Sequence, residues 1–112
     1  MPVVTVETNE DLLREYQAAG ETPVIFYFYS DGNLLCDDTN GLFNQIANEY
    51  SQVNTVCVNF LCENILEGTD FTVNSTPTVI VGINGIESCE DKLVEWQITE
   101  ESLHNLFQKY SG

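Results

Sequence analysis

Positive charge is almost missing from this chain. Arg14, Lys92 and Lys109 are the only basic side chains besides His104, against eighteen aspartates and glutamates, for a formal charge of -15. A surface of that sign repels phosphate backbones, so a direct nucleic-acid partner is not expected. Solubility alone, a basic partner and a high-salt setting are each compatible with it. His104 is the only histidine, and no cysteine spacing resembles a zinc pair. Neither a metal site nor a cofactor is expected. Long apolar runs are also missing: nothing approaches the roughly 18 residues that span a bilayer. Residues 1–7 lack the basic-then-apolar order of a secretory signal. These absences lead to the expectation of a cytoplasmic protein with no membrane partner.

What is present suffices for one modest core. The chain has 112 residues, 43% of them apolar, with six Phe, five Tyr and one Trp. The expectation is one domain, 1–112. Residues 3–6 read as a short strand. Asn9 is expected to cap a helix over 9–19, with Glu10 and Asp11 in its first turn and Leu12, Leu13 and Tyr16 on one side. Gly20 ends it. Residues 24–29 are apolar or aromatic throughout, the pattern of a central strand covered on both faces.

A second helix is expected over 35–50, packing Leu42, Phe43, Ile46, Ala47 and Tyr50 and weakened or bent at Gly41. Residues 55–60 read as a strand, and 62–71 as a short helix interrupted by Gly68. The segment 78–83 is a strand, and Asn84-Gly85 signals a hairpin. The return strand lies at 86–89 or, at its core, at 92–96. Thr99 caps a last helix over 100–110, with Leu103, Leu106, Phe107 and Tyr110 inward. This order implies a mixed sheet between helices, because parallel pairs need crossovers and Asn84-Gly85 permits a tight antiparallel return.

The chemistry-bearing stretch is Gly32-Asn33-Leu34-Leu35-Cys36, between the central strand and the second helix, with Thr76-Pro77 ahead of the fourth strand. The four cysteines, Cys36, Cys57, Cys62 and Cys89, allow three pairings, and mostly free thiols are the default. For Cys36 two roles compete. A helix's first turn favours thiolate, whereas Asp31, Asp37 and Asp38 oppose it. A structural thiol is the favoured reading and a reactive one the alternative. Cys57 and Cys62 read as buried small hydrophobes. Cys89, among acidic residues, is the candidate for adventitious intermolecular pairing.

The segments Phe28-Tyr29-Ser30-Asp31-Gly32-Asn33-Leu34-Leu35-Cys36, Val56-Cys57-Val58-Asn59, Thr76-Pro77-Thr78 and Asn84-Gly85 resemble the thioredoxin family over nearly the whole chain. The resemblance implies a three-layer α/β/α sandwich with a mixed central sheet of four or five strands, and a cis proline at Pro77 facing the redox loop. It also implies that Asn33 stands in place of the exposed attacking cysteine and Gly32 in place of tryptophan. Leu34 and Leu35 replace Gly-Pro, and Tyr27 aligns with the family's buried aspartate. The glycine bordering the family's groove falls near Glu95 or Trp96.

Dithiol exchange needs one thiolate to attack and a second to resolve the mixed disulfide, and an amide does neither. The reading is therefore an atypical thioredoxin-like protein without efficient oxidoreductase activity. It would bind a protein or peptide, of basic character in one version, through Gly32, Asn33, Leu34, Leu35, Thr76, Pro77 and Trp96. Tyr29 and Trp96 are expected to form an apolar patch ringed by acids. The alternative is a monothiol redox protein, or a weak disulfide reductase or isomerase, with Cys36 as its catalytic residue.

Overall fold

A computed structural model describes residues 3–60 and 63–111; Cys62 and the side chain of Glu63 lie outside the described residues. The sheet is built around β2 (Val24–Tyr29) and β3 (Asn54–Asn59), which pair in parallel in the register Tyr27 to Cys57. β1 (Val4–Val6) extends β3 in parallel at one edge. On the other side β4 (Thr78–Ile83) runs antiparallel to β2. Two short segments, β5 (Ile86–Glu87) and β6 (Leu93–Val94), both return antiparallel on β4. The order is β1-β3-β2-β4-β5, with β6 also on β4. Both candidate return strands therefore form, separated by a 3₁₀ turn at Cys89–Asp91.

Alternation along β2 builds two cores, as the period-2 geometry of a strand requires. Ile25 and Tyr27 join Phe43, Ile46, Val79, Val81, Leu103 and Phe107 beneath α2 (Leu34–Glu49) and α3 (Glu100–Ser111). Val24, Phe26 and Phe28 join Leu12, Val56, Val58, Phe71 and Ile80 beneath α1 (Asn9–Ala18). The result is three layers, helix, sheet, helix. The Asn84-Gly85 turn has φ of 56° and 76°, the left-handed pair a tight hairpin needs.

Two expectations are corrected. Thr8, not Asn9, caps α1, its hydroxyl accepting from the Asp11 N–H. Asn9 is used elsewhere: its amide donates to the carbonyls of Ile65 and Glu67 at 2.8 and 2.7 Å, fastening α1 to the loop after β3. The helix expected over 62–71 is only a 3₁₀ turn at Glu63–Leu66. Gly68 beyond it takes φ 85°, which ends any continuation. α2 is continuous through Gly41, and its residues on the inward face supply the packing that propensity does not.

All three Lys and Arg side chains have partners. Arg14 pairs with Asp11 and Glu10, Lys92 with Glu87, and Lys109 with Asp91 and Glu90. Asp91 is the centre of the tightest group, accepting from Ser88 Oγ (2.9 Å), Lys109 Nζ (2.9 Å) and the Tyr110 hydroxyl. Burial opposes its charge, but the bonds from Tyr110, Lys109 and Ser88 outweigh burial and hold the carboxyl below its ordinary value. A depressed carboxyl stabilises the fold above its unfolded pKa, about 4, and that contribution is lost as pH falls through the lower folded value. Asp91→Asn is therefore expected to be less stable at neutral pH. Its difference from the parent should shrink below about pH 4 in urea titrations; a difference constant down to about pH 2 would contradict this.

Candidate functional site

Four chain segments meet at one end of the sheet: the exit of β2, the start of α2, the approach to β4 and the exit of β6. Asn33 is the N-cap of α2, with φ -90° and ψ 119°. Its Oδ1 accepts from the N–H groups of Leu35 (2.9 Å) and Cys36 (3.1 Å), satisfying two donors a helix start leaves open. Its Nδ2 reaches across and donates to the Thr76 carbonyl at 3.3 Å. Ser30 Oγ and Thr76 Oγ1 lie 2.7 Å apart, a second tie between the same two loops.

The Thr76–Pro77 peptide is cis, and the Pro77 carbonyl accepts from the Glu95 N–H at 2.9 Å. Glu95 sits at φ 50°, a conformation that costs a non-glycine residue about 1 kcal/mol. The Pro77 bond and the Ile98 N–H to Glu95 carbonyl bond hold it there. Trp96 follows, 78% exposed, and Leu34 on the first turn of α2 is 82% exposed. Asp31, Asp37 and Asp38 are exposed around the same helix start.

Sequence reasoning thus named the segments that converge. The Tyr29 ring stacks on Tyr27 (centroids 5.9 Å) and lines a cavity of about 170 Å³ with Thr5, Asn40, Asn44 and Cys57. β2 alternation explains this: Tyr29 points the same way as Tyr27, toward α2. Two site features were not foreseen. One is the Asn33 bridge to Thr76; the Asx capping signal was legible in the sequence but its cross-loop partner was not. The other is Asn59, buried at the end of β3, whose Nδ2 donates to Asp31 Oδ2 at 3.3 Å.

Cys36 is fully buried, its Sγ accepting from the Ser30 N–H at 3.4 Å. Cys57 is buried on β3, and burial pushes its thiol up to about 12. Cys36, Cys57 and the exposed Cys89 are all free thiols, so the described residues contain no close cysteine pair. Alkylation of the native protein is expected to label Cys89 readily. Cys36 and Cys57 should be labelled only on denaturation, with rates at least about a hundredfold lower. Rapid labelling of Cys36, mapped by peptide mass, would contradict this geometry. No group of metal-ligating side chains assembles among the described residues, and none of their helices is long and apolar enough to cross a membrane.

This architecture is the thioredoxin fold, and its described residues hold no close cysteine pair. Thioredoxin O1 from Arabidopsis thaliana superimposes with TM-score 0.79 and 19% identity, over 100% of both chains. Spinach chloroplast thioredoxin f matches with TM-score 0.79 and 16% identity, over 99% of this chain and 88% of that one. The reduced Schistosoma mansoni thioredoxin pre-protein gives 0.79 and 16%, over 98% and 99%. No family model and no curated protein sequence matches the chain. The likeness is one of fold.

Proposed function

We propose that the chain is a single thioredoxin-like domain that binds an extended protein segment and does not run efficient dithiol-disulfide exchange. One observation carries the reading: an amide, Asn33, caps α2 where the resemblance puts the attacking thiol, and its bonds hold the loop against Thr76. With Cys36 fully buried behind it, the loop offers no exposed sulfur to start an exchange. What it does offer at the backbone of Thr76-Pro77 is two exposed apolar side chains, Leu34 next to the Asn33 that bonds Thr76 and Trp96 next to the Glu95 that bonds Pro77. Extended segments add to such backbone by main-chain hydrogen bonds, with side chains seated on the flanking apolar groups. Gly32, Asn33, Leu35 and Pro77 complete the surface.

The test takes peptides selected from a random library on the parent protein and measures them against variants. Leu34→Ser and Trp96→Ala are each expected to weaken binding by about tenfold without lowering the melting temperature. Insulin reduction with a dithiol reductant should match the reductant alone. Turnover abolished by Cys36→Ser would overturn the reading.

A second reading, a monothiol redox protein or weak disulfide reductase or isomerase, uses Cys36, whose Sγ accepts from the Ser30 N–H. Under that reading glutathione disulfide adds one glutathione to the native protein at Cys36. Its absence would dismiss it.

A further inference from the structure

A second concave surface lies apart from the loop that begins α2. Strand register sets Thr5, Cys57 and Tyr27 in one row across β1, β3 and β2, on the face that α2 covers. Thr5 and Cys57 are small, so α2 packs on Tyr27 through Phe43 and Thr39 and leaves space beside it. That space is a cavity of about 170 Å³, bounded also by Tyr29 and by Asn40 and Asn44, which stand one turn apart on α2. It shares no residue with the surface around Leu34 and Trp96.

Its lining differs from the rest of this acidic chain. None of the six residues is Asp, Glu, Lys or Arg, although the protein carries eighteen acids. Burial pushes the Cys57 thiol up to about 12 and raises both phenols above their ordinary values, so at neutral pH the wall holds no charge. Hydrogen-bonding groups are nevertheless plentiful. The Tyr27 hydroxyl is committed to Thr39 and to the Asn40 oxygen, which leaves the Asn40 NH₂ as a donor. The Tyr29 hydroxyl, the Asn44 amide and the Cys57 thiol have no hydrogen-bond partner among the described residues, and Cys57 is only 6% exposed.

We propose that this cavity binds a small, planar, uncharged aromatic molecule bearing an amide or hydroxyl group. The size fits, since an apolar cavity of about 150 Å³ takes up benzene, and a ring with one polar substituent needs slightly more. The stacked rings of Tyr27 and Tyr29 and the polarizable Cys57 sulfur give that ring its apolar contacts. The Asn40 NH₂ and the Tyr29 hydroxyl donate to the ligand's oxygen. Asn44, at the exposed end, accepts from its N–H or O–H. A carboxylate would lose its hydration and meet no cation in the wall. An ammonium or amidinium would meet no carboxylate there and stays with the acids outside. Neutrality is the selecting property.

The probe is benzamide, titrated into the full chain and followed by amide NMR. Saturable shifts are expected at Tyr29, Asn40, Asn44 and Cys57, with a dissociation constant of about 1 mM, the scale a molecule this small reaches. Benzoate and benzamidine, its anionic and cationic counterparts of the same shape, should each bind at least about tenfold more weakly. Asn44→Phe, at an exposed position of α2, should fill the mouth of the cavity and abolish the shifts. Asn48→Phe, also exposed and one turn further on, should leave them unchanged. Should Asn44→Phe disturb the fold, Tyr29→Phe decides: loss of its hydroxyl alone should weaken benzamide about fivefold. Shifts that do not saturate, an equal response to benzoate, or undiminished binding by either variant would overturn the site. Leu34→Ser and Trp96→Ala should leave benzamide binding intact, so this cavity and the peptide surface stand or fall separately.

Discussion

Asn33→Cys is expected to form a disulfide between the introduced thiol and Cys36, and to raise insulin reduction above the parent's background by on the order of a hundredfold. The geometry is already in place. Residue 33 caps α2, its carbonyl accepts from the Asp37 N–H, and its side chain reaches the backbone of Cys36 at 3.1 Å. A thiol at the cap is the more exposed of the two and attacks. Cys36, one turn along and pointing inward, resolves the mixed disulfide intramolecularly. Loss of the Asn cap costs the reduced variant about 1 kcal/mol, which the disulfide offsets in the oxidised form. The measurement is thiol titration before and after oxidation, paired with the turnover assay. If oxidation removes no thiols, Cys36 cannot turn toward residue 33, and the absent sulfur is not what separates this loop from an exchange site.

The largest loss of stability is expected at Tyr27. Its ring is 1% exposed, stacks on Phe43 at 4.3 Å between centroids, and its hydroxyl bonds Thr39 and Asn40. Burial, chiefly, drives the phenol far above its ordinary pKa, outweighing the Thr39 bond, so it stays neutral and acts as packing with a tethered hydroxyl. Tyr27→Asp, which restores the residue type the thioredoxin resemblance aligns there, should cost roughly 3–5 kcal/mol from the cavity alone.

Burial raises the new carboxyl's folded pKa. At low pH the group is neutral in both states and only the cavity is felt. As pH rises above the unfolded value, about 4, the charge penalty builds, and it is complete once pH passes the raised folded value. Urea denaturation at about pH 3 and about pH 8 checks both parts, with Tyr27→Phe, expected to lose only about 1–2 kcal/mol, as the control. A Tyr27→Asp variant of parental stability would mean that the space between β2 and α2 adapts to an acid.

Much of the fold was legible in residue order. The unbroken apolar run of β2, the Asn84-Gly85 pair and the inward spacing of Leu103, Leu106 and Phe107 each name one element and one partner face. They depend on local periodicity and turn chemistry, which a sequence displays directly. The weak elements were the misread ones. Propensity suggested a helix after β3, and Gly68 with the short run of residues left one 3₁₀ turn. Thr8 and Asn9 are both able to cap. Only the position of the Ile65 and Glu67 carbonyls, 56 and 58 residues away, decides which one does.

The site divides in the same way. That an amide stands three residues ahead of Cys36, and that this chain has three Lys and Arg residues against eighteen acids, were settled by the sequence alone, because covalent identity and net charge need no fold. That the amide bridges to Thr76, that Tyr29 lines a cavity with Asn40 and Asn44, and that Asn59 is buried against Asp31 were decided only when the strands paired. Hydrogen-bond partners and facing directions arise from register and crossover between segments distant along the chain, and no local pattern encodes where those segments meet.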